Sequence, residues 1–298
     1  MRTFISTKSL KETGLQQTGP IYDSGLSGNN RLKLTYRPGQ VILLGSRPSM
    51  GRTLFLLHMF SNFWGKHKMP QAFFSNEEPE SLVYQKLVAN VTGNKIGEMA
   101  ATPADHTNPK QDILCSAKNF FLTDFLAWET LKEICANLHD NKGISVFYID
   151  RIHGLYSKEK FESRNNELGF IIEDMKKFAM KRQILFFVSA SLNREVEHRE
   201  GKRPCLADLR DTGTLEESAD VVMFIYRPEV YGMTEDDSGN SLIGRTEVIV
   251  AKNRNGTTGD MIFSFNNSIP RFEEYEPPVS PETDEAQKTM EENMGIPF

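Results

Sequence analysis

Seven short apolar runs set the strongest limit on how this chain can fold. They are QVILLG (40–45), QAFFS (71–75), NFFLT (119–123), ISVFYID (144–150), ILFFVSA (184–190), DVVMFIY (220–226) and TEVIVA (246–251). Several are apolar at nearly every position, so a strand made from them must be covered on both faces, as in a mostly parallel sheet. Stretches with helical spacing lie between them, at 52–65, 79–91, 126–139 and 160–181. Strands alternating with helices predict an α/β fold, its central sheet flanked by helices. Two late runs with a short connection, 246–251 and 261–265, predict an antiparallel extension at one edge.

The first run leads directly into GSRPSMGRT, Gly45 to Thr53, and then into an apolar helix. Glycines spaced this way, ahead of a helix N-terminus, let backbone N–H groups wrap a phosphate where the helix dipole favours anions. Gly45, Ser46, Pro48, Ser49, Met50, Gly51, Arg52 and Thr53 are therefore candidate nucleotide-binding residues. The bland alternative is a strand-to-helix turn with chance glycines. Position 52, usually lysine in such loops, is arginine. Arginine keeps the charge but is planar and forked, which alters how it meets a terminal phosphate.

Charge constrains the partners. Residues 273–298 carry eight acids and one base, Lys288; the chain's −5 less this tail's −7 leaves +2 for the remainder. A mildly basic body can hold a nucleic acid strand when its charge is gathered in a channel. The tail is acidic, Pro-containing and poor in apolar residues, and is expected to stay disordered. Residues 1–38 are polar and Gly-punctuated and are expected to be an arm or linker. The expected organisation is thus an arm (1–38), a motor domain (39–272) and a tail (273–298). Cys115, Cys135 and Cys205 are far apart and lack metal-ligand spacing. With no transmembrane run and no secretory leader at the N-terminus, they are expected to be reduced thiols of a cytoplasmic protein that meets no membrane.

Longer blocks narrow the family. RPSMGRT (47–53), FFSNEEPESL (73–82), ISVFYID closing on Asp150, the stretch from Ser191 to Tyr231 containing DLRDTGTLEESAD, and VIVAKNRNGTTG (248–259) occur in that order. Together they resemble the motor domain of DnaB-type replicative DNA helicases over roughly residues 18–275. The resemblance implies a RecA-like P-loop fold and an ATP-driven, Mg²⁺-dependent helicase moving on single-stranded DNA. It implies that Thr53 and Asp150 hold the metal, that Glu77 orients the attacking water, and that Ser191 stands at the phosphate-sensing position. It further implies that Lys252 and Arg254 act in trans on the next subunit's nucleotide, so the working form would be a ring, most simply a hexamer. Arg210, Asp211 and Gly213, in the loop DLRDTG, would contact the DNA backbone. An aspartate ending a buried strand can also merely cap a helix, and Glu77, Lys252 and Arg254 can be ordinary solvated charges; their joint order favours the functional reading.

Departures from the family pattern leave a second reading open. Arg52 replaces the loop lysine, Ser191 replaces a glutamine and His153 replaces another, while Glu78 stands where the family has an apolar residue. The resemblance begins late enough that the family's N-terminal domain is expected to be absent. A hydrolysis-impaired paralogue that binds nucleotide or DNA and regulates a replication helicase is the alternative. The closing Ile296, Pro297 and Phe298, behind an acidic stretch, resemble the tip of bacterial single-strand-binding protein and would dock on that protein's partners; a plain tail is the alternative.

Overall fold

The structure is a computed structural model that describes residues 20–26, 32–95, 120–266, 269 and 271–275. A short pair, β1 (Tyr22–Asp23) and β2 (Thr35–Tyr36), precedes the main sheet. Among the described residues that sheet has nine strands, β3 (Val41–Ser46), β4 (Gln71–Ser75), β5 (Phe120–Thr123), β6 (Val146–Asp150), β7 (Leu185–Ser191), β8 (Val221–Tyr226), β9 (Arg245–Asn253), β10 (Gly259–Asn266) and β11 (Arg271–Glu274). Their spatial order is β11-β10-β9-β8-β3-β7-β6-β4-β5. From β8 to β5 all neighbours are parallel; β9, β10 and β11 extend the β8 edge antiparallel.

The apolar runs form strands because both sheet faces are covered. Ile42 and Leu44 face one layer and Val41 and Leu43 the other, following the two-residue alternation of a strand. On the first face lie α1 (Arg52–His67) and α2 (Glu80–Thr92). On the second lie α3 (Trp128–Lys142), α4 (Arg164–Arg182) and the short α5 (Gly213–Ser218). Helix α1 buries Phe55, Leu56, Met59, Phe60 and Phe63, and its end is closed by Lys68 in the left-handed conformation, whose N–H reaches the Trp64 carbonyl. Each such fully buried side chain contributes about 1.5–3 kcal/mol. Tyr148 stacks on Phe187 at 4.7 Å, and Phe187 meets Tyr36 edge-on at 5.0 Å. Leu34 and Tyr36, in the stretch read from sequence as an arm, are thereby part of the core. Glu273 and Glu274, in the stretch read as tail, belong to the edge strand β11.

One buried carboxylate ties the starts of β3 and β8 to the middle of α4 and the end of β9. Asp220, just before β8, accepts from the Val41 N–H at 2.8 Å and the Lys176 ammonium at 2.7 Å. Its own N–H donates to the Val41 carbonyl, and the Arg254 N–H donates to its carbonyl. This aligns β3 with β8 and holds the end of β9 beside α4.

Among the described residues no helix is long and apolar enough to cross a membrane. Cys135 is buried and Cys205 half-buried, and both are free thiols; Cys115 lies outside the described residues.

Candidate functional site

The carboxyl ends of β3, β4, β6 and β7 converge where the loop 47–51 leads from β3 into α1. Ser49 and Gly51 both adopt positive φ, 66° and 88°, which tightens the loop ahead of the helix N-terminus. Gly45 is required for packing: a Cβ there would lie 2.8 Å from the Phe224 ring and 2.9 Å from Leu192. The loop borders a cleft of about 430 Å³ lined by Ser46, Pro48, Ser49, Gly51, Thr53, Leu54, Ser191 and Phe265, by the cations Arg47, Arg52, Lys86, Arg151 and Arg227, and by the acids Glu77 and Glu78. Five cations against two acids make it attractive to a polyanion. Met50 is the exception in the loop: its side chain is buried in the core beneath α1.

The floor of the cleft is a network around Asp150. This side chain is fully buried; Thr53 Oγ1 donates to its Oδ2 at 2.6 Å and Ser189 Oγ to its Oδ1 at 2.5 Å. Burial raises its pKa, and Arg52 and the two hydroxyls only partly offset that. The Arg52 guanidinium folds across the strand ends. Its Nε is 3.6 Å from Asp150 Oδ1, its Nη1 donates to Ser191 Oγ at 3.2 Å, and its Nη2 donates to Glu77 Oε2 at 2.9 Å. Arg151 lies 3.1 Å from the other Glu77 oxygen. Glu78 points elsewhere, into an ion pair with Lys86. His153 takes a long contact, 3.4 Å, from the Ser191 N–H. Burial and then the nearby Arg151, Arg52 and Arg164 push its pKa down to about 4, so it is neutral near pH 7.

The residues fit a phosphate and a hard cation. Ser46 Oγ, Arg52 Nε and Arg151 Nε, all bordering the cleft, are buried polar atoms with no hydrogen-bond partner among the described residues, where a phosphate oxygen could serve. The Thr53 hydroxyl and the Asp150 carboxylate are adjacent hard oxygen donors. Among the described residues no group of three or more His, Cys, Asp or Glu gathers to cage a metal. The adjacent Thr53 and Asp150 oxygens suit Mg²⁺, which keeps several waters and takes phosphate oxygens beside one or two protein ligands.

Lys252 and Arg254 stand at the opposite end of the sheet. Lys252 pairs with Val222 near the start of β8, and Arg254 follows Asn253, which pairs with Val221. The phosphate loop leaves the far end of β3, roughly 10 Å along the strand from the level of Lys252 and roughly 17 Å from that of Arg254. Neither side chain enters this chain's own cleft. Lys252 Nζ donates to the Glu216 and Glu217 carbonyls at 2.6 and 3.3 Å, and Arg254 Nη2 donates to the Glu217 carbonyl. Both thus sit on the negative end of α5. Burial and then Arg254 lower the Lys252 pKa. Helix α5 continues directly from the turn Leu206–Thr212 that carries Arg210 and Asp211; Gly213 is exposed at the junction, and a Cβ there would meet open space. The loop DLRDTG and the Lys252–Arg254 pair are therefore joined through one short helix. Ile296, Pro297 and Phe298 lie outside the described residues.

The family model for the DnaB-like helicase C terminal domain matches residues 23–274. The chain belongs to this family. Among relatives of the DnaB-like domain, the replicative DNA helicase DnaB of Buchnera aphidicola subsp. Schizaphis graminum is 28% identical over 262 residues, covering 85% of this chain and 55% of the relative. A probable plasmid replicative DNA helicase of Chlamydia psittaci is 28% identical over 260 residues, covering 84% and 54%. The chain therefore spans about half the length of these relatives. A solved structure of an isolated ATPase domain superposes with a TM-score of 0.71 at 25% identity, covering 81% of this chain and 86% of that one. A DnaB-like replicative helicase, solved in a study of its interactions with primase, gives 0.69 at 26% identity, covering 81% and 58%. The RecA-like α/β architecture expected from the sequence is the one observed.

Sequence reasoning passed over six residues of the DnaB-like cleft: Arg47, Leu54, Lys86, Arg151, Arg227 and Phe265. Arg151 had a usable signal, a cation directly after the strand-ending Asp150. Arg227 and Phe265 had none; Arg227 directly follows β8 and Phe265 lies on β10, both distant in sequence from the loop, and the guanidinium lies 4.5 Å from the Phe265 ring centre.

Proposed function

We propose that this DnaB-like domain is a motor that binds and hydrolyses ATP and uses the energy to move along single-stranded DNA. One observation carries the reading: Thr53 and Glu77 line a single cationic cleft beside the phosphate loop, and Asp150, from a third part of the sequence, lies buried beneath them and bonded to Thr53. In this reading the loop backbone and Arg52 hold the phosphates. Thr53 and Asp150 would hold Mg²⁺, which when bound neutralises charge on the phosphates. Glu77 orients the attacking water and takes its proton. Ser191, already bonded to Arg52, fixes that guanidinium instead of reaching the nucleotide through an amide. Lys252 and Arg254 complete a neighbour's site, which their position away from the chain's own cleft supports, and a ring of copies, hexameric in the simplest case, follows. Arg210, Asp211 and Gly213 contact the DNA backbone without reading sequence. The division into arm (1–38), motor (39–272) and tail (273–298) and the docking of Ile296, Pro297 and Phe298 on partners of single-strand-binding protein belong to the same proposal and rest on the sequence.

A regulator that holds nucleotide with little turnover is the second reading, favoured by Arg52 lying on both Glu77 and Asp150. ATP hydrolysis by the purified chain, with and without single-stranded DNA, separates the two. The motor reading expects turnover that DNA stimulates and that Glu77→Gln abolishes. Turnover absent in the natural chain and not restored by Arg52→Lys would establish the regulator instead.

A further inference from the structure

Glu77 bridges two arginines, one through each carboxylate oxygen: Arg52 at 2.9 Å and Arg151 at 3.1 Å. This geometry is that of a small anion held between two cations. The three side chains differ in freedom. Arg52 is 11% exposed and is also anchored on Ser191 and the Ala190 carbonyl; Glu77 is 26% and Arg151 39% exposed. Arg151 has a fixed root and the most exposed side chain of the three. Its N–H and carbonyl are both bonded by the Asn76 side chain, at 3.3 and 2.9 Å. That amide packs so closely on Gly154 that a Cβ there would lie 2.1 Å from it. The Arg151 Nε is near Glu77 but not aligned as a hydrogen bond, and neither it nor Arg52 Nε has an acceptor among the described residues. Arg52 also faces the buried Asp150 carboxylate at 3.6 Å, so among the described residues Arg151 has Glu77 as its one carboxylate partner, and both Nε donors stay unfilled.

We propose that Glu77 occupies the place of a nucleotide's terminal phosphate, and that Arg151 is a second, same-chain contact for that phosphate which makes the site select triphosphates over diphosphates. The inference rests on the nucleotide reading above. A terminal phosphate carries more charge and more acceptor oxygens than a carboxylate, so it displaces Glu77 from both guanidiniums. A diphosphate ends too early to reach Arg151 and leaves the Glu77 bridge in place. The displaced carboxylate becomes free to engage water only when the terminal phosphate is present, which couples the base to the correct ligand.

The test is equilibrium binding, with Mg²⁺, of a non-hydrolysable ATP analogue and of ADP to the full chain and its Arg151→Gln, Arg151→Lys and Glu77→Gln variants. Loss of a charge-assisted contact predicts that Arg151→Gln weakens the triphosphate analogue by about tenfold or more and leaves ADP within about twofold. Arg151→Lys should recover part of the loss, and Glu77→Gln should tighten the analogue by removing the internal competitor. Retained ADP binding also reports that each variant is folded. An analogue-to-ADP ratio unchanged by Arg151→Gln, or weaker analogue binding in Glu77→Gln, would overturn the inference while leaving nucleotide binding standing. Failure of the natural chain to bind either nucleotide would overturn both.

Discussion

Replacing Asp220 by alanine should cost more stability than any surface charge, although this residue touches no part of the cleft. Its side chain is 7% exposed. Alanine removes the acceptor for the Val41 N–H, which then lies buried without that partner; such a group costs about 1–3 kcal/mol. It also removes the partner of Lys176, itself only 17% exposed. Breaking a buried pair costs about 3–5 kcal/mol, but Lys176 keeps its 2.7 Å bond to the Gly39 carbonyl, so the ionic part should fall well below that range. The two losses share one carboxylate and do not simply add; together they place Asp220→Ala at about 3 kcal/mol. Asp220→Asn keeps an acceptor for Val41 and should lose about half as much. Urea unfolding followed by far-UV circular dichroism measures both, with the midpoint falling by about 1 M or more for alanine. A loss under about 0.5 kcal/mol for alanine, or equal losses for the two variants, would refute the account of Asp220 as the joint between β3, β8 and α4.

Two other outcomes are expected. Burial and then Arg271 push the His58 pKa down to about 3, and its ring meets Asn62 at 2.9 Å in a recess that also holds Glu273 and Glu274. The folded state then binds fewer protons than the unfolded one as pH falls from about 6.5 toward 3, so stability is lost over that window by up to about 1.4 kcal/mol per pH unit. His58→Gln should flatten the pH dependence between about 6 and 4.5 in thermal melts, and an unchanged slope would show that His58 is not its source. If Lys252 and Arg254 serve a neighbour's site, ATP turnover per chain should fall on dilution as rings dissociate, and Arg254→Ala should suppress turnover at every concentration. Constant turnover in a range where sedimentation finds monomer alone would rule out the shared site.

Much of the strand and helix pattern was legible because the central strands are apolar on both faces and the longer intervals between them carry helical spacing. The expected runs 144–150 and 184–190 became Val146–Asp150 and Leu185–Ser191, and 160–181 became Arg164–Arg182. The antiparallel extension was expected from 246–251 and 261–265, but β11 was not: RFEE has too little apolar content to read as a strand and is held by pairing with β10. The pair β1 and β2 was missed for the same reason, since two-residue strands leave no periodicity to detect.

The candidate site divides along a similar line. Local sequence determined the phosphate loop, because glycine spacing and the following helix lie within nine residues, from Gly45 to Thr53. It also determined that Asp150 ends a buried strand. Tertiary structure alone decided that Glu77, and not its neighbour Glu78, turns toward Arg52, and that Arg151 joins them. It alone set Lys252 and Arg254 at the far end of the sheet from the loop. The physical reason is range: strand and turn propensities act over a few residues, whereas which charges meet depends on parallel crossovers that bring positions 52, 77, 151 and 191 to one edge.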